Sequence, residues 1–303
     1  MYYFEVYDND QVNGQKSTRS KTFSFRKKTE LEETSENLKR QNNSVEKLSD
    51  ELKKRQESSK AIKALQNKQK QEKSLNYTEK QKLDNFIQRQ KQQMQMMKNY
   101  SERLKEDFKK LDAEEKDDAK KNLEERLEKN QKQIEKNQKL LDELEELKDK
   151  IDQEDLNDKL EDYEKSTKKQ EKNLEQLLEL TKRFYVEKKA QKLAEEIDQL
   201  AKKQEDLAES EDNSAQAQEE LNEEFDDLKE ELEELEEKNK ELKAPMELGQ
   251  DDELTDEIDK EQEQAKEDLD SSEAEDTSAE EQQESKKAGQ QKQQKAAEQM
   301  KSL

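Results

Sequence analysis

Leu221, Phe225, Leu228, Leu232, Leu235 and Leu242 stand four and three residues apart in turn, and every residue between them is Glu, Asp, Asn or Lys. A stretch like this has one economical way to leave water. As an α-helix it gathers two positions in every seven into a narrow apolar seam and offers that seam to other helices. The rest of the chain permits little else. Charged residues make up 47% of it and hydrophobic residues 26%, close to the roughly 29% that a two-in-seven seam consumes. Gly and Pro number only three and one. The expected fold is therefore mainly α: long coiled-coil helices folded as hairpins.

Other seams follow along the chain. Thr29 and Glu32 form a capping box, after which Leu31, Leu38, Val45 and Leu52 recur every seven residues. Thr78 and Gln81 repeat the box ahead of a seam of Leu83, Ile87, Met94, Met97, Leu104, Phe108 and Leu111. Such a Met stripe serves either an adaptable core or a promiscuous groove. A third start is read at Asp112 to Glu115, followed by the near-repeat EKNQKQI and EKNQKLL (128–141), which puts Asn130 and Asn137 at successive core positions, where polar residues fix register. The seam resumes as Leu156, Leu160, Tyr163, Leu174, Leu177 and Phe184, then as Val186, Ala190, Leu193, Ile197, Leu200 and Leu207. Pro245 is expected to end the 221–242 helix, SSEAEDTSAEEQQES to be a disordered or solvated linker, and the final stretch to stop without a cap. The organisation expected is 1–27 as a strand pair; 28–243 as helices with breaks near 75–78, 112, 152–155 and 208–218; 244–270 as a short amphipathic helix; and 271–303 as an acidic linker and the start of a Gln/Lys-rich helix. One unbroken helix over 270 residues would be about 400 Å long, so the breaks imply hairpins, with seams closed within one chain or between chains.

The first ten residues, MYYFEVYDND, hold four of the fourteen aromatics. Tyr2, Phe4 and Val6 alternate with Tyr3, Glu5 and Tyr7, and Phe23 and Phe25 alternate again after a polar loop, predicting two antiparallel strands. Because an isolated hairpin is marginal in water, the pair is expected to be the remnant of a truncated β-sandwich. Asp8, Asp10 and Asn13 suggest a calcium loop, but Gly14 falls one place late and Arg19 stands where a bidentate Glu belongs. A plain hairpin loop is the expectation, with no metal site.

With neither Cys nor His, disulfides, thiolate or imidazole metal sites and the usual nucleophilic triads are excluded. Gly14, Gly249 and Gly289 are each followed by Gln, so no phosphate-cradling G-x-x-x-x-G-K-[ST] loop exists. Carboxylate neighbours such as Glu233 and Glu234 are expected on solvated helix faces, and the glycosylation patterns at Asn76 and Asn99 are short and weak. No catalytic, cofactor-binding or metal residue is expected, and no cofactor. Net charge runs from +8 over residues 1–100 through −7 over 101–200 to −24 over 201–303. An acidic chain of this kind disfavours nucleic acid as its main partner. Apolar runs of four residues at most, Met1 to Phe4 being one, cannot span a bilayer.

The block LEQLLELTKRFYVEKKAQKLAEEIDQLAKKQEDLAE (174–208), preceded by the aromatic strand pair and followed by KNKELKAPMEL, resembles an internal segment of the Bacteroidota domain-of-unknown-function 4175 family. The resemblance implies N-terminal transmembrane helices, then a β-sandwich-like region, then a long Gln/Glu/Lys-rich coiled coil, none of it with known catalytic residues. On that basis the chain is expected to be a soluble fragment of a protein anchored in the bacterial inner membrane, with this part extracytoplasmic and membrane contact only through the missing helices. The function expected is a non-enzymatic structural or protein-interaction coiled coil of the cell envelope, with protein partners or self-association through the seams. The alternatives are a holdase-like chaperone using the Met and aromatic positions of 83–111, or the arm of an assembly whose head is missing.

Overall fold

A computed structural model describes residues 1–8, 16–71, 77–110, 118–147, 153–249, 251–274 and 278–303. It contains, among these residues, seven helices and one antiparallel strand pair, divided into a unit at Met1–Glu36 and a unit at Asn37–Leu303.

In the first unit β1 (Glu5–Tyr7) pairs antiparallel with β2 (Ser17–Arg19), Glu5 opposite Arg19 and Tyr7 opposite Ser17. The expected second strand at 22–26 is thus displaced toward the N-terminus. Register is set by polar anchors: Arg19 Nε donates to Glu5 Oε1 at 2.9 Å while its guanidinium lies over the Tyr3 ring, and Lys16 N donates to Asp8 Oδ1 at 3.0 Å. Phe23 survives as a single bridge to Tyr2 and stacks on its ring at 5.6 Å, whereas Phe25 is 81% exposed. With no second layer to cover it, the Phe25 side chain gains nothing by continuing the strand. Of the acidic turn, Asp10, Asn13 and Gly14 lie outside the described residues; Asp8 accepts from Lys16 N and Arg19 pairs with Glu5.

The helix α1 (Glu30–Gln71) begins at the expected box: Glu32 N donates to Thr29 Oγ1 at 3.2 Å and Thr29 N to Glu32 Oε2 at 3.0 Å. In the second unit α1, α2 (Tyr77–Lys110), α3 (Asp118–Leu147) and the first half of α4 (Gln153–Glu209) run up and down around one core. The direction of each neighbour is fixed by its cross-links: Arg40 to Asp107 and Arg55 to Gln90, Ser101 to Asn130 and Lys91 to Glu145, Glu143 to Lys159 and Arg126 to Gln176. The seam residues Leu83, Ile87, Met94, Met97, Leu104 and Phe108 are all buried, with Phe108 edge-on to Phe184 at 5.3 Å and Phe86 edge-on to Tyr163 at 6.1 Å. Thr78 does not cap α2, which already includes Tyr77. The breaks expected near 75 and 112 and the third start at Asp112 to Glu115 lie outside the described residues, as do Leu111 and Ile151.

Beyond Phe184 the same 57-residue α4 continues into a second four-helix set with α5 (Ala215–Lys240), α6 (Asp252–Glu273) and α7 (Ala279–Met300). The break read over 208–218 narrows to 210–214, because Ser214 Oγ accepts from Ala217 N and lets α5 start there. Pro245 is not the terminator of α5. That helix closes at Lys240, and the Asn239 side chain clasps the next segment, accepting from Met246 N at 2.8 Å and donating to its carbonyl at 2.7 Å. The supposed linker after 270 is mostly helical: α6 runs to Glu273 and α7 opens at a capping box of Ser278 and Glu281. Burial decides this, since Leu269, Ala296, Ala297 and Met300 are at most 1% exposed. Gly289 permits the approach of α6 and α7; a Cβ there would stand 3.2 Å from the Ala265 carbonyl oxygen. The last turn is closed by Lys301 N donating to Ala297 O and Leu303 N to Gln299 O. Among the described residues the buried seam positions pack against other helices of the same chain.

Candidate functional site

Each helix of the second set contributes one glutamine to a single buried layer: Gln204 from α4, Gln218 from α5, Gln262 from α6 and Gln293 from α7, none more than 1% exposed. Gln204 and Gln218 exchange hydrogen bonds, Gln262 donates to Gln204 at 3.0 Å, and Gln293 donates to Gln218 at 2.8 Å. Asn213, in the α4–α5 connection, pairs reciprocally with Gln293 at 2.7 and 2.9 Å. Sliding any helix by one turn would pull an amide out of this ring and bury it unpaired, at about 1–3 kcal/mol. The layer is a register lock. Its signal is present in the sequence: each glutamine takes the place of an apolar residue in the 4-3 spacing, as in Leu200-Gln204-Leu207 and Ile258-Gln262-Ala265.

The first set has its own polar layers. Gln90 uses its whole hydrogen-bonding capacity, donating to Ser58 Oγ and Gln93 Oε1 and accepting from Arg55 Nη1 at 3.1 Å and Tyr163 OH at 3.2 Å. One turn along, Asn137 accepts from Gln133 and Ser166 and donates to Gln170. Asn130 donates to Ser101 at 3.2 Å, while its Oδ1 accepts nothing. Both Asn residues are fully buried, where the heptad pattern puts them. Burial pushes the Tyr163 phenol up from its ordinary range, and it likewise raises the Glu171 carboxyl against the opposing pull of Ser59 and Arg55.

α1 fits this set less closely than its neighbours. Among the described residues none of its Cα atoms lies within 8 Å of a Cα on another helix. It also carries half of the twelve buried side-chain polar atoms that lack a hydrogen bond among the described residues: both of Gln41, Oε2 of Glu51, Nε and Nη2 of Arg55, and Nε2 of Gln66. Between α1 and α2 a cleft of about 530 Å³ is bounded by Ala61, Ala64 and Phe86, with Lys54, Lys82 and Arg89 among its polar lining. The Met stripe does not open into a groove, because Met94 and Met97 are at most 2% exposed; Met96, on the outer side, is 41% exposed.

The outer faces differ in sign. Residues 37–110 carry twenty Lys and Arg against ten Asp and Glu, and residues 215–273 carry 26 Asp and Glu against six Lys. On the acidic side the few lysines are shared. Partial burial disfavours the charge on Lys229, yet hydrogen bonds to Asp226 at 2.8 Å and Asp259 at 2.5 Å hold its pKa well above the usual lysine range. Glu231 is also held against burial, its carboxyl lowered by Lys189 and Lys192. Glu233 and Glu234 are exposed. Among the described residues no cluster of carboxylates suits a metal ion, and no helix is long and apolar enough to cross a membrane. Comparison with family models, with curated proteins and with solved structures finds no match to this chain.

Proposed function

We propose that this chain is a non-enzymatic helical scaffold that binds protein through its outer faces. The observation that supports this reading best is the glutamine layer, in which each of four helices gives a buried amide to fix the geometry of the set. Amides have no proton to give or take near neutral pH, so a core organised around them sets shape instead of chemistry. Seam residues spent inside one chain are not free to recruit others, and the partner surface falls to the charged faces of α2, α5 and α6. A place in the bacterial cell envelope, anchored by segments beyond this chain, rests on the resemblance of the 174–208 block and belongs to the same proposal.

The holdase reading is the weaker one, since it needs Met94, Met97 and Phe108 accessible to clients and these are buried. Two measurements separate the readings: photo-crosslinking from exposed positions on α2 and α5 in cells that make the protein, and suppression of aggregation of a denatured client. A scaffold gives discrete crosslinked species and no suppression. Suppression at near-stoichiometric amounts, with diffuse crosslinks, would overturn the scaffold in favour of the chaperone.

A further inference from the structure

Three charged rails of the same period lie on this molecule, a basic one on the first four-helix set and two acidic ones on the second. On α2, Lys82, Arg89, Met96 and Arg103 recur every seven residues on the exposed side. Among the described residues, Lys82, Arg89 and Arg103 form no ion pair. On α5, Glu223, Glu230 and Glu237 recur every seven residues, all exposed, and on α6 Asp256, Glu263 and Asp270 do the same. Seven residues of α-helix advance about 10.5 Å, so cations and carboxylates on the two rails come round at the same interval.

We infer that the α2 rail of one copy docks on the α5–α6 rails of a second copy. This rests on the scaffold reading above and names its partner. Symmetry leaves two modes that pair opposite signs: a two-fold contact, in which the α2 rail of each copy meets the α5–α6 rails of the other and the pair closes, and a heterologous contact, which propagates unless it closes into a ring. Exposed Met96, between Arg89 and Arg103, supplies an apolar point within the basic rail. The net charge of −23 opposes any self-association, and distance limits that opposition. At about 0.1 M salt the screening length is about 10 Å, whereas the 26 residues of α5 alone extend about 39 Å. Remote like charges are then screened while rails in contact still attract.

The test is sedimentation velocity on three proteins: the parent chain, a head variant Lys82→Glu, Arg89→Glu, Arg103→Glu, and a tail variant Glu223→Lys, Glu230→Lys, Glu237→Lys, Asp256→Lys, Glu263→Lys, Asp270→Lys, each checked for parental helicity by circular dichroism. The parent should associate at about 0.1 M salt, as a closed pair or as an open-ended series that grows with protein concentration, and return to single-chain mass at about 1 M. Each variant alone should stay at single-chain mass, and the two mixed should associate again, because the reversed head then meets the reversed tail. Association of either variant alone, or failure of the mixture to recover it, overturns the rail contact. A parent chain that stays single at every salt concentration also overturns it, and if that chain binds a single-stranded oligonucleotide through α2, the basic rail belongs to a polyanion. Discrete crosslinks to another protein from such a single chain would leave the scaffold reading standing while this inference fails.

Discussion

Gln204 and Gln218 donate to each other across the α4–α5 interface, 2.6 Å in one direction and 3.0 Å in the other, with neither side chain exposed. Replacing one amide strands the others. Gln204→Leu removes the reciprocal pair and the acceptor used by Gln262, and should cost about 1–3 kcal/mol, read as a lower midpoint in urea with an unchanged slope. Replacing all four layer glutamines with Leu should instead raise the melting temperature while broadening the distribution of oligomers, since the register lock is lost along with its desolvation cost. A quadruple variant that melts lower than the single one would show that the layer contributes net stability.

Asn130 and Asn137 occupy equivalent places in their repeats yet should respond oppositely. Asn130 has one hydrogen bond and a stranded oxygen, so Asn130→Leu should be neutral or raise the melting temperature. Asn137 joins Gln133, Ser166 and Gln170, and Asn137→Leu should lower stability by about 1–3 kcal/mol. Thermal melts of the two single variants decide it; equal shifts would mean that the bonds around Asn137 contribute nothing.

Arg55 is 1% exposed and leaves two guanidinium nitrogens without acceptors. Its one partner, Gln90 Oε1, also accepts from Tyr163. Arg55→Met should therefore stabilise the chain, by about 1–4 kcal/mol if it follows other buried charges exchanged for apolar groups. Equilibrium unfolding in denaturant measures this, and a destabilised variant would point to an ion pair with Glu171 that outweighs desolvation.

Glu171 gives a pH signature. Its folded-state pKa is raised by burial, so at neutral pH its ionised form favours the unfolded chain, and that penalty fades as pH falls through the carboxylate range. Glu171→Gln should melt higher than the parent at pH 7, with the gap closing toward about pH 3. Carboxylates held low, such as Glu231 and Glu241 beside their lysines, act in the other sense. They stabilise above the ordinary carboxylate range, and that contribution is lost in acid. A gap at Glu171→Gln that persists unchanged in acid would mean that packing, not ionisation, sets its effect.

Much of this was legible residue by residue. The 4-3 spacing named the helices and their inward positions, and Asn130 and Asn137 were placed in the core before any partner for them was known. The Thr29 box was readable because a cap involves four consecutive residues. Glutamines at seam positions carry the same spacing signal, but a single Gln in a Gln-rich chain does not stand out from its neighbours. The strand register is not legible in the same way, because alternation gives the face of a residue but not its partner, and here Arg19 on Glu5 and Lys16 on Asp8 chose the pairing.

Spacing along one helix is a local property, and the sequence alone determined it: mainly α, narrow seams, an acidic end and a basic end. Which seams meet depends on groups far apart in the chain. Only the tertiary structure decided that α4 serves two four-helix sets, that Gln204, Gln218, Gln262 and Gln293 share one layer, and that α1 packs loosely over unpaired polar atoms. The physical reason is that an amide or a leucine shows from its own neighbours that it faces inward, while its energy depends on whether another helix brings the complementary group within about 3 Å.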